Sequence, residues 1–231
     1  MSRILILRPE PGAGETAARA RALGLEPLVS PLFTVRPLPW EPPEGPFDAV
    51  LLTSANAPRH AGPELTPFLH LPCFAVGETT AQVARGSGFT RAQSGPADGA
   101  AAVAMAVGQG SRRILHLCGR DHIELTHPDA SLMRCPVYAA DAMRELAPDT
   151  LEALKDGTLA LLHSRRAATL FGTIVQSRSG IPIAAISQSV ADAAGGGWAA
   201  VHVSERPRDE ALLELAAKLC KTMPPGEQYR V

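Results

Sequence analysis

Short apolar runs alternate along the whole chain with longer stretches in which alanines and leucines recur at helical spacing. Seven runs are compact and almost wholly apolar: 3–7, 49–53, 73–76, 113–117, 159–163, 183–186 and 200–203. Such a run is what a strand needs when a parallel sheet buries both of its faces. Helical stretches follow most of them, over 15–23, 79–85, 100–107, 165–176, 188–194 and 209–221. Strand, turn and helix repeated in this order predict an α/β fold. The segment Pro37-Leu38-Pro39-Trp40-Glu41-Pro42-Pro43 fits neither a helix nor a central strand and is predicted to cross between lobes. The tail from Thr222, with Pro224, Pro225 and Gly226, is predicted to fray.

Displacing the chain by 110 residues lays its two halves on each other without a gap. Arg3-Ile4-Leu5 falls on Arg113-Ile114-Leu115, and Leu51-Leu52-x-Ser54 on Leu161-Leu162-x-Ser164. Ala75-Val76-Gly77 falls on Ala185-Ile186-Ser187, and Ser94 on Ser204. Matches of alanine on alanine carry little weight in this composition. The weight lies in the clustering of the others at strands and at the polar turns after them, which predicts two copies of one α/β unit.

Duplicated α/β units commonly form two lobes with a ligand cleft, and open α/β sheets bind ligands beyond the carboxyl ends of their strands. Five turns are thereby singled out: Thr53-Ser54-Ala55-Asn56, Gly77-Glu78-Thr79-Thr80, Cys118-Gly119-Arg120, Ser164-Arg165-Arg166 and Ser187-Gln188-Ser189. Each is expected to open a helix, whose free N–H groups and dipole favour anions. A serine or threonine at one such turn is ordinarily a helix cap. Five turns around one cleft, with Arg8, Arg120, Arg165 and Arg166 beside them, point to a polyanionic ligand.

Composition and charge remove other classes. A 231-residue chain with a formal net charge of −1 has no basic excess with which to neutralise nucleic-acid phosphates. No apolar run is long enough to span a bilayer, and Met1-Ser2-Arg3 leads into a strand-like run without a signal-peptide pattern. A cytoplasmic, monomeric protein is expected. Cys73, Cys118, Cys135 and Cys220 form no CxxC pair, and Cys73 and Cys118 read as buried thiols. His122 and His127 bracket Glu124 one residue too widely for a zinc pair on a helix, so no metal is expected. Gly12-Ala13-Gly14-Glu15-Thr16-Ala17 fits the dinucleotide fingerprint formally, but Pro9 and Pro11 part it from its strand. It reads as a loop feeding a helix. There is no Walker A lysine, no GxSxG elbow and no telling carboxylate pair. The residues alone therefore describe a two-lobed binder of an acidic ligand.

The motifs, taken in order, resemble the uroporphyrinogen-III synthase family over nearly the whole chain. Ile4-Leu5-Ile6-Leu7-Arg8-Pro9 resembles that family's first strand and its Arg-Pro. Phe47-Asp48-Ala49-Val50-Leu51-Leu52-Thr53-Ser54-Ala55-Asn56-Ala57 is similar to its TSxxA turn, and Ala75-Val76-Gly77-Glu78-Thr79-Thr80-Ala81 to its VGxxTA turn. Ile114-Leu115-His116-Leu117-Cys118-Gly119-Arg120, Val137-Tyr138, Leu161-Leu162-His163-Ser164, Ala185-Ile186-Ser187 and Pro207-x-x-x-Ala211-Leu212-Leu213 complete the order. Two places depart from the pattern. Val190 stands where many members have a second turn threonine, and Ala55-Asn56 where members often carry Pro-Arg.

The resemblance implies two Rossmann-like or flavodoxin-like parallel-sheet lobes joined by two extended crossings, with the ligand cleft between them. One lobe would combine 1–34 with 143–231 and the other would hold 38–138, with 35–37 and 139–142 as crossings and 222–231 as a frayed tail. The implied reaction closes hydroxymethylbilane, a linear tetrapyrrole, with loss of water and inversion of ring D. No cofactor is implied. Because the task is to hold one conformation of the chain, orientation outweighs acid–base power. The implied acids are Tyr138 and, more weakly, Thr80. Substrate carboxylates would meet Arg8, Ser54, Ala55, Asn56, Gly77, Thr79, Gly119, Arg120, Ser164, Arg165 and Ser187. The competing expectation is a two-lobed, non-catalytic binding or regulatory module for a small acidic ligand.

Overall fold

A computed structural model of the protein describes residues 3–95 and 98–222. The chain begins with β1 (Arg3–Ile6), α1 (Gly12–Ala22), β2 (Glu26–Val29), β3 (Phe33–Pro37), β4 (Ala49–Leu52) and α2 (Asn56–His60). A 3-10 turn (Pro63–Phe68) leads to β5 (Cys73–Val76), α3 (Glu78–Gly86), β6 (Ala92–Gly95) and α4 (Gly99–Gly108). The remainder is β7 (Arg113–Gly119), β8 (Ser131–Ala142), α5 (Pro148–Lys155), β9 (Leu159–Leu162) and α6 (Arg165–Ile174). It ends with β10 (Pro182–Ala185), α7 (Gln188–Ala194), β11 (Ala200–Val203) and α8 (Asp209–Thr222). The frayed tail expected from residue 222 lies outside the described residues, except that Thr222 closes α8.

The chain forms two compact units, the first from residues up to Thr34 and from Ala142 onward, the second from Val35 to Asp141. The first holds a five-stranded parallel sheet in the order β11-β10-β9-β1-β2. The second centres on parallel strands in the order β8-β7-β4-β5-β6, with β3 beside β8. Displacement by 110 residues carries β1, β2, β4, β5 and β6 onto β7, β8, β9, β10 and β11. The two sheet orders then coincide strand for strand. Each sheet takes its last three strands from one copy of the repeat and two from the other, so repeat and unit divide the chain differently.

Each central strand is buried on both faces, which is why its sequence is apolar without alternation. In the first unit Ile4, Ile6, Leu159 and Leu161 meet Ala13, Ala17 and Ala20 of α1 and Leu212, Leu213 and Ala216 of α8. In the second, Val50, Leu52, Leu115 and Leu117 face Ala57, Ala81 and Ala84 on one side. Ala49, Leu51 and Ile114 face Ala102, Val103 and Ala106 on the other. Alanine on the inner helix faces lets helix and sheet approach closely without bulky side chains.

Four strands that the apolar pattern does not predict lie toward the sheet margins. β2 carries Pro27 and β6 is the polar Ala-Gln-Ser-Gly, and both are edge strands that need only one paired side. β3 contains Pro37, the first residue of the predicted crossing. β8 is exposed or half-buried except at Val137 and Ala139, and includes Pro136, which faces Cys118 where the ladder slips register between Cys118 and Gly119. A further difference concerns the turns expected to open helices. Gly119-Arg120 opens none: the chain runs from β7 through an irregular loop into β8. α1, which joins β1 to β2, has no counterpart in the second unit.

Candidate functional site

In the second unit β4 and β5 end nearly in register beside β7, since Leu52 pairs with both Ala75 and Leu117, and β7 runs on to Gly119, which pairs with Tyr138 within β8. Their carboxyl ends bring together Ser54, Ala55, Asn56, Gly77, Thr79, Thr80, Gly119, Arg120 and Tyr138. Ser54 Oγ accepts the N–H of Asn56 at 3.2 Å as α2 begins. Gly77 caps α3 with φ of 77°, a backbone region that side-chain-bearing residues rarely adopt, so this turn requires glycine. Thr79 is exposed on the first turn of α3, whereas Thr80 faces inward and is buried. Gly119 is required for a different reason. A Cβ there would lie 2.8 Å from Cζ and 2.9 Å from the hydroxyl of Tyr138, so the tyrosine ring covers the bare backbone. Tyr138 is half-buried, packs on the apolar cluster below it, and has the His60 ring 6.3 Å away. Arg120 donates its backbone N–H to the Tyr138 carbonyl at 2.8 Å. Its guanidinium is engaged with Asp141 at 2.8 Å, and Asp141 also accepts from Arg36 Nε at 2.6 Å. Hydrogen bonds from Arg36 and Arg120 hold the Asp141 carboxyl below its ordinary range.

The first unit gathers Arg8, Ser164, Arg165 and Ser187 at the ends of the adjacent strands β1, β9 and β10. Ser164 caps α6, its Oγ accepting the Ala167 N–H at 3.2 Å. Arg165 is exposed on the first turn of that helix. Ser187 begins α7 without a side-chain cap, and its Oγ lies 3.1 Å from Ser189 Oγ. The expected sites thus fall into two groups, one in each unit.

Sequence reasoning misses a cluster built around Asp209, the first residue of α8. Its Oδ1 accepts from Thr16 Oγ1 at 2.9 Å and stands 2.8 Å from His163 Nε2, and its Oδ2 accepts from Arg19 at 2.6 Å. Arg8 Nη1 lies 3.6 Å from the same carboxylate and donates to Thr16 Oγ1 at 3.2 Å. Burial alone would raise the Asp209 carboxyl, but the bonds from His163 and Thr16, the His163 charge and the Arg19 bond outweigh it and bring it to about 2. The one local sign of this cluster was the Gly12-Ala13-Gly14 run. A Cβ on Gly12 would sit 2.7 Å from Arg8 Nε, so that glycine accommodates a guanidinium.

In the second unit the buried His116 has its Nε2 3.1 Å from Thr53 Oγ1. Burial, with smaller contributions from His122 and Arg134, pushes it down to about 4, so it is neutral at physiological pH. Burial likewise raises the Cys73 thiol to about 12 and the Cys118 thiol to about 11, leaving both inert as nucleophiles. Among the described residues no group of three or more His, Cys, Asp or Glu could hold a metal ion, and no helix is long and apolar enough to cross a membrane.

The pattern is two parallel sheets of one topology, each with polar helix-opening turns at its carboxyl edge. The family model described as uroporphyrinogen-III synthase HemD matches residues 14–214. The chain belongs to the uroporphyrinogen-III synthase family. A uroporphyrinogen-III synthetase structure from Helicobacter pylori is similar at 19% identity, covering 95% of this chain and 100% of the other with a TM-score of 0.67. A mutant uroporphyrinogen III synthase from Thermus thermophilus is similar at 16% identity, covering 96% and 100%, with a TM-score of 0.53. At these identities the likeness speaks for the fold. A comparison with curated proteins finds no match. The family's α/β architecture of two parallel sheets accounts for the duplicated topology, and nothing in the comparisons favours a non-catalytic module.

Proposed function

We propose that the protein is a lyase that converts hydroxymethylbilane into uroporphyrinogen III, with loss of water and inversion of the last ring, without a cofactor. The observation that carries this reading is the family match across residues 14–214. The site chemistry is compatible with it. The substrate bears eight carboxylates, and the turns at Ser54, Gly77, Ser164 and Ser187 offer backbone N–H groups at helix starts, where anions are favoured. Arg8 and Arg165 add charge in the first unit and Arg120 in the second.

The reaction needs a leaving hydroxyl, then closure through a carbon of ring D that already carries a substituent. Uncatalysed closure gives the uninverted isomer, so the enzyme's work is to favour one conformation of a flexible chain. Proton donation is the smaller part. Tyr138 is our candidate acid, supported by its place within β8 over Gly119, the last residue of β7. Thr80 is the weaker candidate, because its side chain is turned into the core beneath α3.

The test is to supply hydroxymethylbilane to the purified protein with chelator present, then oxidise the products and separate them by chromatography. The expected product is mainly the type III isomer, at a rate that chelator leaves unchanged. Type I product alone, matching a control without protein, would overturn the reading.

A further inference from the structure

Arg8 apart, the Asp209 cluster plays no part in the chemistry just described, yet Asp209 is paired with Arg8, Arg19 and His163 together. Its members come from four elements or their ends: Arg8 after β1, Thr16 and Arg19 on α1, His163 after β9, and Asp209 at the start of α8. The His163 side chain is 6% exposed and that of Asp209 10%, whereas Arg8 keeps 32% of its side chain in solvent. Arg8 is confined on two sides. Thr16 Oγ1 and the Asp209 carboxylate take its Nη1 side, at 3.2 and 3.6 Å, and the bare backbone of Gly12 lies against its Nε and Nη2.

The fold itself does not call for this cluster. In the second unit, which has the same sheet order, displacement by 110 residues puts Cys118 in place of Arg8, Thr53 in place of His163 and Gly99 in place of Asp209. A parallel sheet of this topology therefore closes without any of these three charges. Asp209 is also not spent on Arg8, because its short bonds go to Arg19, His163 and Thr16. Arg8 is left aligned, partly exposed and only weakly neutralised.

We propose that Asp209, Thr16 and Gly12 are positioning residues that hold the Arg8 guanidinium ready for a carboxylate of the tetrapyrrole substrate. The assignment rests on Arg8 being a substrate-binding residue. A long side chain held in place before binding gives up less freedom when its ligand arrives, so the cradle acts on substrate affinity. Asp209 orients Arg8 chiefly through Thr16, whose hydroxyl donates to Asp209 Oδ1 and accepts from Arg8 Nη1, so that without the carboxylate Arg8 keeps its charge but loses its orientation.

The experiment is a double-mutant cycle on the full chain with hydroxymethylbilane as substrate, reading KM, kcat and thermal unfolding. Arg8→Ala and Asp209→Asn should each raise KM about tenfold with kcat held within about twofold, the loss expected for one charge-assisted contact. The double variant should have the KM of Arg8→Ala alone. Gly12→Ala, which crowds the guanidinium from the opposite side, should raise KM in the same way and likewise have no effect beside Arg8→Ala. If Asp209→Asn does not fold, Thr16→Val removes the other Arg8 contact and runs the same cycle. An unchanged KM in these variants, or KM effects that multiply in the double variant, would overturn the assignment and leave the cluster a stability feature. A wild-type protein that forms no type III product would instead overturn the activity, and this assignment with it.

Discussion

The two sheets share one strand order but differ in chemistry at matching positions along their carboxyl edges. In the first unit the edge is charged: Arg8, Arg19, His163 and Asp209 form one network. In the second the positions matching Arg8, His163 and Asp209 are neutral, and Gly99 lies against Leu125 and Thr53 where the first unit has a carboxylate against His163. The His116 ring beside Thr53 is held uncharged by burial. A second pair of matching positions repeats the contrast. Phe68 packs in the apolar cluster of the second unit beside Trp40 and Phe47. Its counterpart in the first unit is Arg178, whose guanidinium lies 5.0 Å from the Trp198 ring. Arg178 donates to Val175, Gly172, Ala194 and Gly196 carbonyls, and so serves the ends of both α6 and α7. One topology thus tolerates a polar or an apolar solution at the same place. What distinguishes the units is the chemistry each can offer a ligand.

The largest expected effect tests the apolar side of the contrast. Phe68→Ala should destabilise the protein by about 3–5 kcal/mol, the usual cost of removing a buried aromatic ring, as read by denaturant unfolding. Asp209→Ala comes next, at about 2–3 kcal/mol, because it leaves Arg8 and Arg19 without their counter-charge and His163 and Thr16 without their hydrogen-bond partner. Gly99→Ala, at the matching position, should cost less than about 1 kcal/mol, since only the flexible Leu125 side chain must give way. Equal losses for those two alanine variants would abolish the contrast. Arg178→Ala should cost about 2 kcal/mol, by freeing carbonyls at two helix ends and uncovering Trp198.

The pH-dependent effects separate the units by window. An unfolded chain protonates His116 from about pH 6.5 downward, whereas the folded chain resists until about pH 4. Stability should therefore fall as pH drops through that interval, by about 3 kcal/mol, and His116→Gln should flatten this part of the profile. Asp209 titrates lower. Its ordinary value is 3.8 and its folded value about 2, so its contribution is complete above pH 3.8 and lost as pH falls toward 2. Unfolding curves that show no change between pH 6.5 and 4 would contradict the neutral, buried state of His116.

Much of this architecture is legible in the sequence, for a physical reason. β1, β4, β5, β7, β9 and β10 are buried on both faces, so each appears as an unbroken apolar run. β2, β6 and β8 meet weaker demands and admit Pro27, Gln93, Ser94, Arg134 and Pro136, which hide them. The helix-opening turns are legible because the repeat displays them twice. Gly119-Arg120 misleads because the first unit's β1–α1 connection is replaced by a loop in the second. Of the Asp209 cluster only Arg8 and the Gly12-Ala13-Gly14 run stand out in the sequence, since its members meet only in three dimensions: Asp209 bonds Thr16 across 193 residues and His163 across 46.

On the proposed function, product identity comes from orienting the substrate, and proton donation affects only the rate. The direct measurement is the ratio of type III to type I product for the wild type and for Tyr138→Phe, each taken alongside the turnover rate. For Tyr138→Phe kcat should fall on the order of 10²-fold with the product still type III. A variant that turns over at nearly the normal rate would remove Tyr138 from the chemistry. One that releases type I product would contradict the claim, because orientation would then depend on the side chain assigned to proton transfer.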